Sequence, residues 1–439
     1  MAKEFVCDMT KGNETSLLIR FSLPMLFGNV FQQFYNMVDS IVVGNYVGKN
    51  ALAAVGMTSS LTFFYFALCN GFATGAGVLM SQYFGMKNEK RVKDALGNSI
   101  YLMLGMGILV SIISVLLAEP TLRLLNTPES IFDDALLYTR IVCGGVLAVV
   151  LYNGISAMLR ALGDSVTPLI FLIIASILNV IGDLLFVLVF HMGVAGVAVA
   201  TILAQTLSAL GCIVYAVLKN PYFRLKRENM KPDRILLMKC LRLGIPFGMQ
   251  GSLIALSCIA LQSVINRFGE NVIAAFAATS RIEQLVQQPY NSLGTAVATF
   301  TAQNLGAGNI ERVKRGYQRS TILVVVFSLL MCAAMFLWGG PFVGIFVDDA
   351  EVIAIGGRAI RITSLFYIPL GMIYVARSLL NGAGDSFFAG TVIGLTYGKN
   401  PAQSCEIGSR LAASVICTSD NVCPRFRPLE FGLDIPVVD

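Results

Sequence analysis

Charged side chains are scarce in this sequence of 439 residues. Asp, Glu, Lys and Arg make up 13% of it, whereas hydrophobic residues make up 56% and the mean hydropathy is +0.72. In soluble domains about a quarter of the residues are charged. The core of a soluble protein cannot bury as much apolar surface as this chain carries. The composition predicts an all-α membrane protein that crosses the bilayer many times. There is room for about a dozen spans of roughly 20 residues each.

Side chains typical of metal sites and catalysis are also few. There is a single histidine, His191, and the ten cysteines include no CxxC pair. These absences argue against a structural zinc site. The sequence also contains no nucleophile–base constellation that would indicate an enzyme. The basic residues behind the net charge of +6 lie in loops. There they indicate the orientation of the protein in the membrane and not nucleic-acid binding. The polar start and the long first apolar run do not fit a cleavable signal peptide. We therefore expect no enzymatic activity, no cofactor and no nucleic-acid partner.

Ten apolar windows are long enough to cross a bilayer. They lie at 17–44, 54–83, 95–118, 134–158, 167–190, 193–218, 236–265, 271–300, 316–338 and 352–380. Basic breaks, such as Lys87–Lys93, alternate with acidic ones, such as Glu129–Asp134. The positive-inside rule then places the N-terminus and the central loop in the cytoplasm, and we expect a multi-pass protein of the plasma membrane.

The second half of the chain repeats the first at an offset of about 221 residues, the kind of internal repeat to seek before any motif. Asn45–Gly48 falls on Asn266–Gly269, and Gly163–Ser165 falls on Gly384–Ser386. Six spans precede the second copy, so both halves enter the membrane in the same direction. Such parallel repeats are typical of transporters with a substrate pathway between the halves. We predict two pseudo-symmetric six-helix bundles.

The repeat divides the chain into five segments. They are a cytoplasmic N-terminus at 1–16, a first lobe at 17–218 with helices 1–6, an inter-lobe loop at 219–235, a second lobe at 236–394 with helices 7–10 and a stub of helix 11, and a polar tail at 395–439. By the same offset two more spans should recur at 392–411 and 414–439, where the sequence is too polar to rest in lipid. We interpret the tail as a truncation or a change of reading frame that replaces the last two helices. A genuine soluble tail is the alternative.

Two carboxylates lie deep in spans of the first lobe, where a charge costs about 2.5–3.5 kcal/mol on insertion scales. Asp39 is in span one, and Asp183 is in span five with Asn179 one turn before it. Span six adds Thr201 and Gln205. Because polar stripes of lipid-embedded helices face inward, these oxygens are expected to meet and to hold Na⁺ or a shared proton. The alternative is that the polar groups only hold the helices together.

Further polar residues accompany this set. Gln32, Tyr35 and Asn36 share the helix face of Asp39 in span one. In the second lobe Glu283 is the remaining carboxylate at membrane depth. It is expected either to contact substrate or to be a structural partner, and the sequence leaves this open.

Two prolines interrupt predicted spans. Pro24 lies in span one and Pro246 in span seven, and each removes a helix hydrogen bond. We expect both to be hinge positions, with static kinks as the alternative.

Five stretches carry a family resemblance: RFSLPMLFGNVFQQFYNMVDSIVVGNYVG, SQYFGMKNEKRVKDA, MLRALGDSVTP, LNVIGDLLF and TAQNLGAGNIERVKRG. They resemble the multidrug and toxic compound extrusion (MATE) family, whose superfamily includes lipid-linked glycan flippases. The resemblance runs from about Met9 to about Gly394. It implies twelve helices in two six-helix lobes, which exchange Na⁺ or H⁺ for cationic or amphipathic compounds. The tail departs from this pattern, because the last two helices are missing or replaced.

The resemblance also implies functional residues. In prokaryotic members with this type of first lobe, the cation site matches Asp39, Asn179, Asp183 and Thr201. Asn153 in span four and Asn36 in span one are then secondary members of the same network.

Three functions are therefore weighed. The first is a monomeric cation-coupled antiporter, with the bilayer and small cationic or amphipathic substrates as its partners. The second is a lipid-linked glycan flippase, which the placement of basic residues at helix ends disfavours. The third is a truncated membrane protein that inserts but does not transport.

Overall fold

The computed structural model describes residues 7–125, 127–265 and 267–384, and these ranges contain helices and no strand. The predictions for the stub of helix 11 and for the tail lie outside these residues. Twelve α-helices fall within them. They are α1 (Glu14–Val42), α2 (Lys49–Gly85), α3 (Glu89–Leu124), α4 (Glu129–Gly144), α5 (Val146–Ala161), α6 (Val166–Leu184), α7 (Gly193–Lys219), α8 (Arg234–Ile265), α9 (Glu270–Gly306), α10 (Ile310–Gly344), α11 (Ala350–Ser364) and α12 (Tyr367–Ala383). Two π-helical turns, Val43–Val47 and Leu185–Val189, follow α1 and α6 directly.

Each of the ten predicted spans coincides with one helix or with one bent pair. The pair α4 and α5 bends by 45° in span four, and the pair α11 and α12 bends by 52° in span ten. Within the described ranges, five helices are long and apolar enough to span a membrane alone, and seven spans result if each bent pair is one. Helices α1, α8 and α9 are 29, 32 and 37 residues long. The all-α, multi-helix prediction is confirmed.

The chain forms two compact units. Of the described residues, the first unit contains Cys7, Asp8 and those between Phe27 and Leu256, and the second contains Met9–Leu26 and those between Ser257 and Gly384. The units follow the two predicted lobes, except that the first half of α1 belongs to the second unit and most of α8 belongs to the first. The lobe boundaries taken from the repeat remain a sequence prediction. They rest on the sequence similarity of the two halves, whereas the two units are defined by contacts within the structure.

In the first unit α8 crosses α2 at four glycines. A Cβ atom on Gly71 would lie 2.2 Å from the backbone nitrogen of Gly248, and one on Gly75 would lie 2.7 Å from that of Gly244. The two backbones therefore touch, as they do in small-xxx-small contacts between membrane helices.

In the second unit the residues before α1 are packed against α9 and α10. Met9 is fully buried, and its backbone N–H donates to Oε1 of Gln303 at 3.0 Å. Its carbonyl accepts from Nδ2 of Asn304 at 3.1 Å and from Nε of Arg312 at 3.3 Å. Side chains satisfy both polar backbone groups of Met9, so this buried entry to α1 leaves neither unpaired.

Candidate cation site

Four side chains predicted from the sequence meet in the first unit. Asp39 lies on α1, Asn179 and Asp183 lie on α6, and Thr201 lies on α7. Asp183 and Asn179 are buried, and the carboxyl groups of Asp39 and Asp183 lie within hydrogen-bonding range of each other. Helices distant in sequence thus bring two carboxyl groups together at membrane depth.

Asn179 links Asp183 to α7. In the amide orientation that satisfies both ends of its side chain, Nδ2 donates to Oδ2 of Asp183 at 3.1 Å. Its Oδ1 then accepts from the backbone N–H and the hydroxyl of Thr201, each at 3.2 Å. The amide thus orients the Asp183 carboxyl group, and the Thr201 oxygen remains beside it.

Two buried oxygens of this group, Oδ1 of Asp39 and Oδ1 of Asp183, have no hydrogen-bond donor. Oε1 of Gln205, which follows Thr201 by one turn on α7, is also buried without a donor. Buried oxygens are nearly always paired, so this set needs a ligand or a proton. Carboxylate, amide and hydroxyl oxygens are the hard donors that suit Na⁺. No cluster of three or more His, Cys, Asp or Glu occurs in the described ranges.

Both carboxylates lie just before a π-helical turn. Asp39 lies one helical turn before the π-helical turn that starts at Val43, and Asp183 lies just before the π-helical turn that starts at Leu185. Val43 and Val187 are buried in one apolar cluster with residues of α7. A π-helical turn changes the helix face presented by the residues around it, and such turns are frequent at functional sites. The packed turns therefore hold the ends of α1 and α6 beside each other.

Tyr138 on α4 is a member of this site that the sequence did not reveal. Its side chain packs on the same apolar cluster, and the charges of Asp39 and Asp183 both act on its hydroxyl. The available signal was weak, because the fourth span holds four hydroxyl side chains, those of Tyr138, Thr139, Tyr152 and Ser156. Nothing in the sequence determines which of them faces the apolar cluster.

Other predicted residues lie outside this hydrogen-bonded set. Gln32 and Asn36 are exposed on α1, and Asn153 is half-buried on α5. No hydrogen bond among the described residues joins them to the carboxylates. The side chain of Tyr35 is outside the described part of the structure.

Glu283 lies on α9 in the second unit and is therefore not a member of this site. Its Oε1 is buried without a hydrogen-bond partner, and so is the hydroxyl of Tyr367, on which its charge acts. The choice between a substrate contact and a structural partner stays open.

The two hinge candidates lie inside unbroken helices. Pro24 is within α1 and Pro246 is within α8. The helices continue past both residues, so hinge motion stays a prediction.

Comparisons with known proteins agree with the fold and the repeat. The MatE family model matches the chain twice, over residues 24–185 and 246–400. The probable multidrug resistance protein YpnP of Bacillus subtilis is 32% identical over 378 residues, which cover 86% of this chain and 84% of that protein. Each half of the chain thus matches the same family model.

Two solved structures share the fold. One is an outward-facing multidrug resistance MATE family transporter of the MOP superfamily, with a TM-score of 0.82 and 23% identity over 94% of this chain and 95% of that one. The other is a MOP superfamily transporter from Pyrococcus furiosus with the same TM-score, identity and coverage, for which a binding pocket of reverse polarity suggests a different function. At this identity the likeness shows the fold alone.

Proposed function

The chain belongs to the MatE family of membrane transporters, which are not enzymes, and we propose that it exports cationic or amphipathic organic compounds in exchange for Na⁺ or H⁺. The name of the Bacillus subtilis relative, a probable multidrug resistance protein, supports drugs and toxic compounds as the exported class. We further propose that the protein acts as a monomer in the plasma membrane with its N-terminus in the cytoplasm.

The paired carboxyl groups of Asp39 and Asp183 are the observation that carries this proposal. Two carboxylates in contact cannot both stay ionised without a counter-ion, so a proton or a metal cation must accompany them. Asn179 links Thr201 to Asp183, which leaves the hydroxyl oxygen of Thr201 as a neutral ligand near the pair. An inward-moving Na⁺ or H⁺ and an outward-moving organic cation then stabilise different states of the same acidic site. Exchange follows from that competition, because each ligand shifts the equilibrium toward the state that it binds better.

The test uses the purified protein in liposomes loaded with ethidium, with a Na⁺ gradient and a pH gradient imposed separately. We expect one gradient to drive ethidium movement and the combined substitution Asp39→Asn and Asp183→Asn to abolish it. The matched control is Asp133→Asn, which removes an exposed carboxylate on α4 of the same unit. Normal ethidium movement by the doubly substituted protein would rule out this mechanism.

The same liposomes separate the antiporter from a flippase and from an inactive protein. A flippase would move a lipid-linked sugar and leave ethidium where it is. An inactive chain would move neither compound under either gradient. The mid-span polar side chains of α1, α6 and α7 are acids, amides and hydroxyls, which favours a cationic substrate over a pyrophosphate.

A further inference from the structure

The inter-lobe loop is fastened to α3 of the first unit. The buried Asn98 donates Nδ2 to the carbonyl of Lys231 at 3.3 Å and accepts from the backbone N–H of Asp233 at 2.8 Å. Asn229 donates Nδ2 to Oδ1 of Asp94 at 2.8 Å. These bonds hold the loop backbone against the helix, so its side chains start from fixed positions.

Six basic side chains on or beside this loop are exposed and make neither an ion pair nor a hydrogen bond with another described group. They are Lys219, Lys226, Arg227, Lys231, Arg234 and Lys239. The nearby carboxylates of Asp94 and Asp233 are engaged by Asn229 and Arg91. In this fully described loop Glu228 is the remaining acidic side chain. The surface therefore carries a strong excess of positive charge.

The basic residues at the start of α10 in the second unit have a different environment. Arg312 and Arg315 both pair with Glu14, at 3.2 and 3.1 Å, and Lys314 pairs with Glu311 at 3.0 Å. Those charges are partly neutralised within the protein. Topology alone would require only that basic residues be present near the membrane, so it does not account for the unpaired charge of the first unit.

Large apolar side chains adjoin the six basic residues. Leu218 is 63% exposed at the end of α7, and Ile235 and Met238 are 68% and 55% exposed at the start of α8. Basic side chains next to exposed apolar ones are typical of the membrane interface, where the apolar groups meet acyl chains and the charges reach the headgroups.

We propose that the six basic residues form a binding surface for the headgroups of anionic phospholipids. Clusters of this size next to a membrane helix attract anionic lipid through charge, with little demand on geometry. The proposal requires only that the chain lies in a bilayer, and it is independent of which compound is exported.

The test places the purified full-length protein in nanodiscs of phosphatidylcholine that contain increasing amounts of phosphatidylglycerol. It measures how strongly phosphatidylglycerol binds to the protein and how much it stabilises the protein. We expect the triple substitution Lys226→Gln, Arg227→Gln and Lys231→Gln to weaken binding on the order of 100-fold at low salt. The exchange Lys226→Arg, Arg227→Lys and Lys231→Arg keeps the charge and should keep the binding. The triple substitution Lys11→Gln, Lys314→Gln and Arg319→Gln removes the same charge from the second unit and should have little effect.

Two outcomes would overturn the proposal. One is an equal loss of binding in both charge-removing variants, which would indicate a response to net charge. The other is equal stabilisation by soluble glycerol phosphate, which would indicate a site for free phosphate. If the triple variant is unstable in phosphatidylcholine alone, the single variant Arg227→Gln replaces it, with an expected loss of about fivefold.

Discussion

Tyr138 places a hydroxyl in the electric field of two carboxyl groups, although it comes from a helix that the polar pattern did not single out. The charges of Asp39 and Asp183 act on it, and its side chain packs on the apolar cluster that contains Val43 and Val187. A hydroxyl oxygen that reaches the two carboxyl groups would add a neutral ligand for a cation that they hold.

Tyr138→Phe should therefore weaken cation binding by about 1 kcal/mol, or about fivefold in the dissociation constant. Ion binding to the purified protein, followed by calorimetry, is the measurement. Tyr101→Phe on α3 is the control, because that side chain is 41% exposed. An unchanged dissociation constant in Tyr138→Phe would remove this residue from the site.

Glu14 is a second residue whose environment differs from that of an ordinary surface carboxylate. It precedes the first predicted span and accepts from Nη1 of Arg312 at 3.2 Å and from Nε of Arg315 at 3.1 Å. A hydrogen bond from its own backbone N–H, together with the two guanidinium groups, lowers its pKa below the usual value of 4.5, although burial acts in the opposite direction.

A lowered pKa in the folded state predicts how stability depends on pH. The contribution of Glu14 is fully present above the unfolded-state value of about 4.5 and is lost as pH falls through the folded-state pKa. Glu14→Gln should reduce stability at neutral pH by about 1 kcal/mol, and the difference from the unsubstituted protein should shrink on acidification. Thermal unfolding across this pH range measures it. Glu311→Gln, which removes a carboxylate that is 76% exposed, should have little effect at any pH.

At the scale of elements, the two π-helical turns and the glycine crossing perform related tasks. The turns at Val43–Val47 and Leu185–Val189 hold the ends of α1 and α6 together through buried valines. The crossing fixes α8 on α2, because glycine lets the two backbones touch. Each device acts through packing, since lipid provides no hydrophobic drive between helices.

Gly71→Ala tests the crossing. Its Cβ would lie 2.2 Å from the nitrogen and 2.5 Å from the Cα of Gly248, so α8 must shift away from α2. We expect a loss of about 1–3 kcal/mol in stability, measured by thermal unfolding in detergent. Gly56→Ala on the same helix has no atom within 4 Å of the new Cβ and should be neutral or slightly stabilising. Equal stability of the two variants would show that the close crossing is not required.

At the scale of the whole molecule, the carboxylates are divided between the two units. Asp39 and Asp183 belong to the first unit, whereas Glu283 belongs to the second, where its Oε1 is buried without a partner beside the Tyr367 hydroxyl. We expect cation binding to be a property of the first unit.

Glu283→Gln should therefore leave the affinity for the coupling ion unchanged to within about twofold, whereas Asp39→Asn should abolish measurable binding. Calorimetric titration of the purified proteins gives both values. A large loss of ion affinity in Glu283→Gln would show that the ion site is not confined to the first unit. Export of cationic compounds by the same variant then shows whether Glu283 contacts substrate.

Much of the candidate site followed from the sequence because of a simple energetic rule. Asp39, Asn179, Asp183 and Thr201 stand in apolar spans, and burying such groups is tolerated only where they find partners. Tyr138 could not be identified in this way, because a tyrosine at the edge of an apolar span satisfies the rule equally well when it faces lipid headgroups or a neighbouring helix. Gln32 and Asn36 share the helix face of Asp39 but are exposed and make no hydrogen bond to the carboxyl pair, so their part in the site stays a prediction.

The amino-acid sequence by itself determined the membrane class, the ten spans, the internal repeat and the four residues that meet in the first unit. These follow from hydropathy, length and the cost of buried polarity, which are local properties of the chain. The tertiary structure alone decided that half of α1 and most of α8 pack within the other unit, that π-helical turns follow both carboxylates, and that Tyr138 faces them. Those features depend on which helices are in contact. Side-chain packing between segments that are distant in the sequence determines these contacts.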